Sequence, residues 1–376
     1  MPVNILHLHS SFDLGGKEAR AVRLMNAFGS AARHTVVSGM PEQTGARDAI
    51  ATGIDYEIAQ DAPSLTGRPS VARYEALARY MRRFDLVLTY NWGAIDGVMA
   101  RRVFGKGAPP LVHHEDGFNA DEAGGPKRER NVYRRIALGA AAALVVPSET
   151  LERIALESWK QPAAKIHRIA NGIDVAAYAR KPRRGAIPGF VPDPKTVTIG
   201  ALAGLRAVKD LAALVRAVGG LSGKVRLVIV GEGPERARIA QAAAAMGIAD
   251  RLTMPGFLPD PHAYVGLFDI LALSSRSEQM PISVIEGMAA GLPVASYAVG
   301  DVAAMVSVEN APFIAREQDE VGLRDVLQPL VGDAALRARI GAANRAKAAA
   351  AFDEARMIAT YRALYEEALG RAGALG

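Results

Sequence analysis

The chain has 376 residues, 50% of them hydrophobic and 22% charged, with no cysteine and a formal net charge of +6. At roughly 100–200 residues per domain this length implies two domains, or three at most, and the composition excludes a disordered, collagen-like or coiled-coil chain. The lack of cysteine excludes a disulfide framework, a Cys-ligated metal centre and thiol catalysis. The basic surplus points to a phosphorylated ligand, an anionic membrane or nucleic acid. The opening stretch MPVNILHLHSSFDLGG lacks a basic start and a long apolar core, so no signal peptide is expected. The most apolar segment, residues 136–147, is too short for a bilayer, which needs about 20 apolar residues. A soluble, cytoplasmic protein is expected, with attachment to the inner face of the cytoplasmic membrane left open.

In chain order, the pattern predicts a strand over 3–9 and a helix over 16–28, then strands over 85–90, 111–114 and 143–146. A second series begins near residue 196. Strands are predicted over 196–203, 225–230, 270–273 and 293–297, with helices over 210–218, 234–246 and 281–290 between them. Short, continuously apolar strands separated by helices indicate parallel sheets covered on both faces. Two such series imply an α/β protein of two doubly wound, Rossmann-like domains. The stretch 173–195 is rich in proline, glycine and basic residues without periodicity, and is expected to be a linker between residues 1–172 and 196–353. Residues 354–376 carry Met357, Tyr361, Leu364, Tyr365 and Leu369 at helical spacing.

The segment SSRSEQMPISVIEGMAAGLPV, residues 274–294, carries Glu278 and Glu286 with seven residues between them. Pro281 suits a first helical position, which leaves the backbone N–H groups near Ile282 and Ser283 open to an anion such as a diphosphate. The two carboxylates could accept hydrogen bonds from sugar hydroxyls. By spacing alone they fit equally well a pair that offsets the helix dipole. Lys209 and Arg206 precede a predicted helix, where cations can neutralise a leaving diphosphate; as isolated residues they also read as surface charges. Gly15 and Gly16 lie between the first strand and helix, where glycine lets backbone approach a phosphate. Gly231 and Gly233 suggest a dinucleotide fingerprint, but Arg236 stands at its third glycine, which argues against a nicotinamide enzyme. His113, His114, Glu115 and Asp116 end a strand, where open α/β sheets bind ligands; neighbouring strand residues alternate faces, so no metal site is expected there. Lys127, Arg130 and Arg134 fall on one face of a predicted helix that also holds Arg128 and Arg135. That basic face suits a phosphate-bearing acceptor, anionic headgroups or solvent. With 6% aromatics and no recognition motif, nucleic acid is disfavoured.

These blocks resemble, in order and spacing, those of the retaining glycosyltransferases of family 4, which have the GT-B fold. The glutamate–x7–glutamate segment, DLGGKE at 13–18, VPSETL at 146–151, NGID at 171–174, LRAVKD at 205–210 and VGEGP at 230–234 carry the resemblance. It implies an acceptor-side domain over 1–172, with the helix of 354–376 packing back on it, and a nucleotide-sugar domain over 196–353 across a cleft. The expected donor is a UDP- or GDP-linked sugar, with no further cofactor and no catalytic metal. The expected acceptor is a glycan or lipid-linked saccharide in cell-envelope glycoconjugate or polysaccharide synthesis. Glu278 would hold donor-sugar hydroxyls and Glu286 the ribose, with Gln279, Met280, Ile282, Ser283, Gly231 and Gly233 lining the nucleotide side. Lys209 and Arg206 would stabilise the diphosphate, although the family's usual arginine position is Gly204 here. Asp116 stands where the family carries a histidine, and His114 could supply that ring. A nucleotide-sugar epimerase of similar fold, or a nucleotide-sugar-binding protein without turnover, would share these features.

Overall fold

A computed structural model describes residues 1–118, 122 and 127–376. The described residues form two compact units, Met1–Ala170 with Arg356–Gly376, and Asn171–Ala355.

The first unit is built on β1 (Val3–His9), β2 (Ala32–Ser38), β3 (Asp55–Ile58), β4 (Leu86–Tyr90), β5 (Leu111–His114), β6 (Ala143–Val146) and β7 (Ile166–Arg168). They pair in parallel in the order β3-β2-β1-β4-β5-β6-β7. Successive strand residues face opposite sides, so one sheet carries two apolar faces. Leu6, Leu8 and Val87 pack under the helices Val71–Met81, Ile95–Phe104 and Arg128–Leu138. Val3, Ile5, Leu86 and Leu88 face the helix Gly16–Phe28 and the final helix Glu354–Leu369. That final helix presents Met357, Tyr361, Leu364 and Tyr365, one stripe at helical spacing, to the first unit's core.

The second unit holds β8 (Val197–Leu202), β9 (Val225–Val230), β10 (Leu252–Gly256), β11 (Ile270–Leu273), β12 (Val294–Tyr297) and β13 (Ile314–Ala315). These are also all parallel, in the order β10-β9-β8-β11-β12-β13. In each unit the strand order reverses beside the first strand, between β1 and β4 and between β8 and β11. Such a switch point is where open α/β sheets accommodate ligands, at the carboxyl ends of the strands. Residues 173–195, expected as a linker, lie within the second unit. Ile173, Tyr178, Ile187 and Phe190 of this stretch are buried, and Ile173 bridges to Asp353. Its proline content marks irregular backbone, and its apolar side chains supply the packing.

The Tyr361 ring is fully buried, while its hydroxyl has no hydrogen-bond partner among the described residues. Removing the ring should therefore cost far more than removing the oxygen. Tyr361→Ala is expected to destabilise the first unit by roughly 3–5 kcal/mol, and Tyr361→Phe to change stability by under about 1 kcal/mol, as read from urea unfolding.

Candidate functional site

In the second unit, two loops leave the switch point. The first follows β8 and carries Arg206 and Lys209. The second follows β11 and carries Glu278, Gln279 and Met280 before the helix Ile282–Ala289. Their backbones are laced together. The Arg276 N–H donates to the Val208 carbonyl at 2.9 Å, and the Ser274 hydroxyl to the Lys209 carbonyl at 2.9 Å. The Arg276 guanidinium holds Asp210 at 2.5 Å, and Asp210 sits in the left-handed region at φ 41°. The result is a close Lys209–Glu278 pair, Nζ to Oε1 2.5 Å, with side chains only 17% and 12% exposed. Arg206 is exposed and makes no ion pair or side-chain hydrogen bond among the described residues.

The β11 loop is also held from its far side. The Asp301 N–H donates to the Gln279 carbonyl at 2.9 Å, and the Asn171 side-chain amide to the Met280 carbonyl at 3.0 Å. Pro281 is the residue before the helix rather than its first member. Its fixed φ launches the helix at Ile282, and the amides of that first turn have no intrahelical acceptors except at Val284, which bonds the Pro281 carbonyl. Ile282 and Ser283 are half-buried there. Glu286 is buried one turn on and accepts a 3.0 Å hydrogen bond from the Tyr178 hydroxyl. Asn171 and Tyr178 are supports that the sequence pattern did not single out for a role.

Gly231 and Gly233 serve packing here. A Cβ at Gly231 would lie 1.9 Å from the Ala203 carbonyl oxygen, and one at Gly233 would lie 2.4 Å from that of Leu205. Both have positive φ, 147° and 154°. The loops after β8 and β9 can thus lie backbone to backbone, joined by the Leu205 N–H to the Glu232 carbonyl at 2.8 Å. These glycines set the path of the loop that carries Arg206 and Lys209.

In the first unit, the exposed Gly15 and Gly16 open the helix Gly16–Phe28 after β1, and Gly15 is its N-cap. One turn along, Arg20 is buried and forms a two-pronged ion pair with Asp116, Nη2 to Oδ2 2.8 Å. The Asp116 N–H donates to Asn91 Oδ1 at 2.6 Å. Burial alone would raise the Asp116 carboxyl, but the Arg20 charge and hydrogen bonds outweigh it and hold the group below its ordinary value. Asp116 is therefore an anion fixed in place at the end of β5.

His114 does not offer a ring to this site. Its Nδ1 lies 3.2 Å from the Thr89 carbonyl, to which it donates, and its Nε2 accepts from the Tyr365 hydroxyl at 2.8 Å. The ring is buried, and burial with the nearby Arg20 charge lowers its pKa to about 3, so it is neutral. His113 is buried as well, with Nδ1 2.8 Å from the Thr89 hydroxyl. The basic helix also differs from expectation. Arg134 is wholly buried, bonded to Glu115 at 3.2 Å and to Glu122 at 3.2 Å and 3.3 Å, and Arg130 pairs with Glu122 at 2.8 Å. The guanidinium of Arg134 lies 5.0–5.3 Å from the ring centres of Trp92, Phe118 and Trp159. Arg128 and Arg135 remain as exposed cations of that helix, beside exposed Val132 and Ile136. Among the described residues, no group of three or more His, Asp or Glu side chains could hold a metal ion, and no helix is long and apolar enough to cross a membrane.

Two doubly wound α/β units, each with polar groups at its switch point, define a GT-B-type glycosyltransferase architecture. Two family models match the chain: Glycosyltransferase Family 4 over residues 14–177, and Glycosyl transferases group 1 over residues 188–347. The chain belongs to the family-4 type of glycosyltransferases. It is 32% identical over 183 residues to a 2-deoxystreptamine N-acetyl-D-glucosaminyltransferase of Streptomyces fradiae, a match covering 47% of this chain and 38% of that relative. The chain thus spans well under half the length of that relative. A D-inositol 3-phosphate glycosyltransferase of Jonesia denitrificans is 26% identical over 305 residues, covering 73% of this chain and 70% of the relative. HepE of Anabaena, solved in complex with UDP, shares the fold with a TM-score of 0.77 and 18% identity over 97% of this chain and 100% of that structure.

Two outcomes follow from this geometry. Gly231→Ala forces both a strained φ and a clash with Ala203, so a loss of roughly 1–3 kcal/mol is expected in thermal or urea unfolding of the second unit. The buried neutral histidines make the first unit acid-sensitive. His114 titrates at about 3 and His34, which burial also lowers, at about 4, against an ordinary 6.5. Between those values and 6.5 the unfolded chain binds more protons, so stability falls as pH drops. The slope approaches about 1.4 kcal/mol per pH unit for each ring, and a melting temperature that stays flat from pH 6.5 to 4.5 would contradict it.

Proposed function

We propose that the protein transfers a sugar from a nucleotide-diphosphate sugar to a hydroxyl of a glycan or lipid-linked acceptor, with retention at the anomeric carbon. The observation that carries this is the Lys209–Glu278 pair at the switch point of the second sheet, beside the helix start at Ile282. Donor binding exchanges this ion pair for ligand contacts. Lys209 turns to the diphosphate and Glu278 accepts hydrogen bonds from the donor sugar. The exposed Arg206 and the first-turn amides of Ile282 and Ser283 add charge stabilisation to the same leaving group. Glu286, already fixed by Tyr178, receives the ribose hydroxyls, and Gln279 and Met280 line the sugar and nucleotide.

The chemistry assigned to the protein is positioning and electrostatics. The C1–O bond to the diphosphate breaks as the acceptor oxygen bonds to the same face of C1. The departing diphosphate takes the acceptor proton, and cationic side chains neutralise its charge without a catalytic metal. On the acceptor side, Gly15 and Gly16 allow close backbone approach, and Asp116 supplies a fixed anion in place of the family's histidine. The reaction is placed in the cytoplasm. The exposed Arg128, Val132, Arg135 and Ile136 form a candidate contact with an anionic membrane that would present a lipid-linked acceptor. A relative that acts on an inositol phosphate and a structural neighbour that binds UDP support a nucleotide-sugar donor and a polyhydroxylated acceptor.

A thermal-shift panel of UDP, GDP and their sugars should show one base series stabilising the protein. Lys209→Ala should reduce turnover about 100- to 1,000-fold, as expected when one preorganised charge on the developing anion is lost. Glu278→Gln should weaken sugar selectivity while leaving binding of the free nucleoside diphosphate in place. An inverted anomeric centre in the product, read by NMR, would remove the retaining assignment. Conversion of the donor to an epimer without acceptor would favour an epimerase.

A further inference from the structure

Asp210 stands between Lys209 and the helix Leu211–Gly219, and its backbone is left-handed, with φ 41° and ψ 45°. A residue with a Cβ rarely holds that conformation, because the Cβ crowds the following carbonyl oxygen. The Asp210 side chain makes no capping hydrogen bond to its own helix that would offset the strain. What fixes it comes from another loop. Arg276 Nε lies 2.6 Å and Nη2 2.5 Å from one and the same oxygen of Asp210, Oδ2.

Arg276 joins three loops at the carboxyl ends of the second sheet. Its own loop follows β11. Its N–H bonds the Val208 carbonyl in the loop after β8, and its Nη1 donates to the Gln318 carbonyl in the loop after β13. The guanidinium lies 5.7 Å from the centre of the buried Tyr297 ring, at the end of β12. The other acids of this corner have partners of their own. Asp319 accepts from the Gly322 N–H at 2.8 Å and caps the helix Glu320–Gly332, Glu320 pairs with Arg216, and Glu278 pairs with Lys209. Asp210 is the carboxylate that Arg276 holds.

The consequence falls on Lys209. The helix after Asp210 is anchored by Leu211, Ala212, Leu214 and Val215, all buried, so it cannot swing if the bend at residue 210 relaxes. The change would be taken up on the other side, by the loop that carries Arg206 and Lys209.

We propose that Arg276 is a positioning residue for the diphosphate. Through Asp210 it locks the left-handed bend that sets Lys209 beside Glu278, and it does so without touching the ligand. The inference rests on the transfer reading, in which Lys209 turns to the diphosphate.

The test is calorimetric titration of the full chain with UDP and GDP, using throughout whichever binds the unaltered protein. Arg276→Ala should weaken that nucleotide about 10- to 100-fold, the worth of one hydrogen bond to a charged group. Asp210→Ala, which keeps the arginine but removes what it holds, should weaken it as much. Asp210→Gly should bind like the unaltered protein, because glycine takes the left-handed bend unaided. The double variant Arg276→Ala/Asp210→Gly should bind like Asp210→Gly. Glycine at 210 could not restore a lost contact between Arg276 and the ligand, nor tighten a generally loosened unit. Should Arg276→Ala fail to fold, the contrast between alanine and glycine at residue 210 decides alone. Equal binding by those two variants, unchanged binding in Arg276→Ala, or a loss there that glycine does not restore would overturn the proposal. Lys209→Ala separates the two readings. If it weakens binding while Arg276→Ala does not, this inference falls alone. If the unaltered protein binds neither nucleotide, the transfer reading falls and the inference falls with it.

Discussion

When neighbouring parallel strands send their connections to opposite sides of a sheet, the space between their carboxyl ends cannot be filled by either connection. Both units are organised around that vacancy. In the second, it is bordered by the loops after β8 and β11, which bring Lys209 against Glu278. In the first, it is bordered by the loops after β1 and β4, which bring the glycine turn and Asn91 beside it. Much else in the chain secures those loops: the glycines after β9, the Asn171 amide on Met280, and the Arg276 bridge to Asp210.

The two units hold their polar groups differently. In the second, Lys209 and Glu278 form a single ion pair with both side chains half-buried. The first buries charge. Arg20 with Asp116, and Arg134 with Glu115 and Glu122, sit where an unpaired ion would be expensive, and each guanidinium makes two or more hydrogen bonds. Such pairs add little net stability, but they fix side-chain position tightly because any other arrangement leaves a buried charge alone. Asp116 is thereby held as an anion, which a histidine at the same place would not be.

Most of the fold was legible in the residues. Strands over 143–146 and 270–273 are continuous apolar runs, and those over 3–9, 111–114 and 225–230 are apolar runs interrupted by Asn4, histidines or Arg226, because both faces of their sheets are largely covered. The strands that escaped notice are mostly at sheet edges. β3 (DYEI) is largely exposed and β7 (IHR) half so, and both carry charge, so neither shows the buried-strand pattern. β2 is interior but opens ARHT, whose His34 is buried through a partner, His7, that no local pattern reveals. The candidate site was legible through resemblance more than through spacing. Nothing in the separation of residues 209 and 278 shows that they touch, and Arg20 looked like an ordinary helix cation. His114 and Arg134 were misread for one reason. A polar residue gives no sign in sequence of whether it faces solvent or a buried partner from another element.

The final helix belongs to the core of the first unit although the whole second unit intervenes in the chain. Synthesis from the amino end therefore delivers the units out of order. The second unit has all its residues when Ala355 is made, whereas the first still lacks the stripe that covers Val3, Ile5 and Leu88. Until residues 356–376 leave the ribosome, that sheet face is covered only in part, by the helix Gly16–Phe28, and the older half of the polypeptide is the last to finish folding.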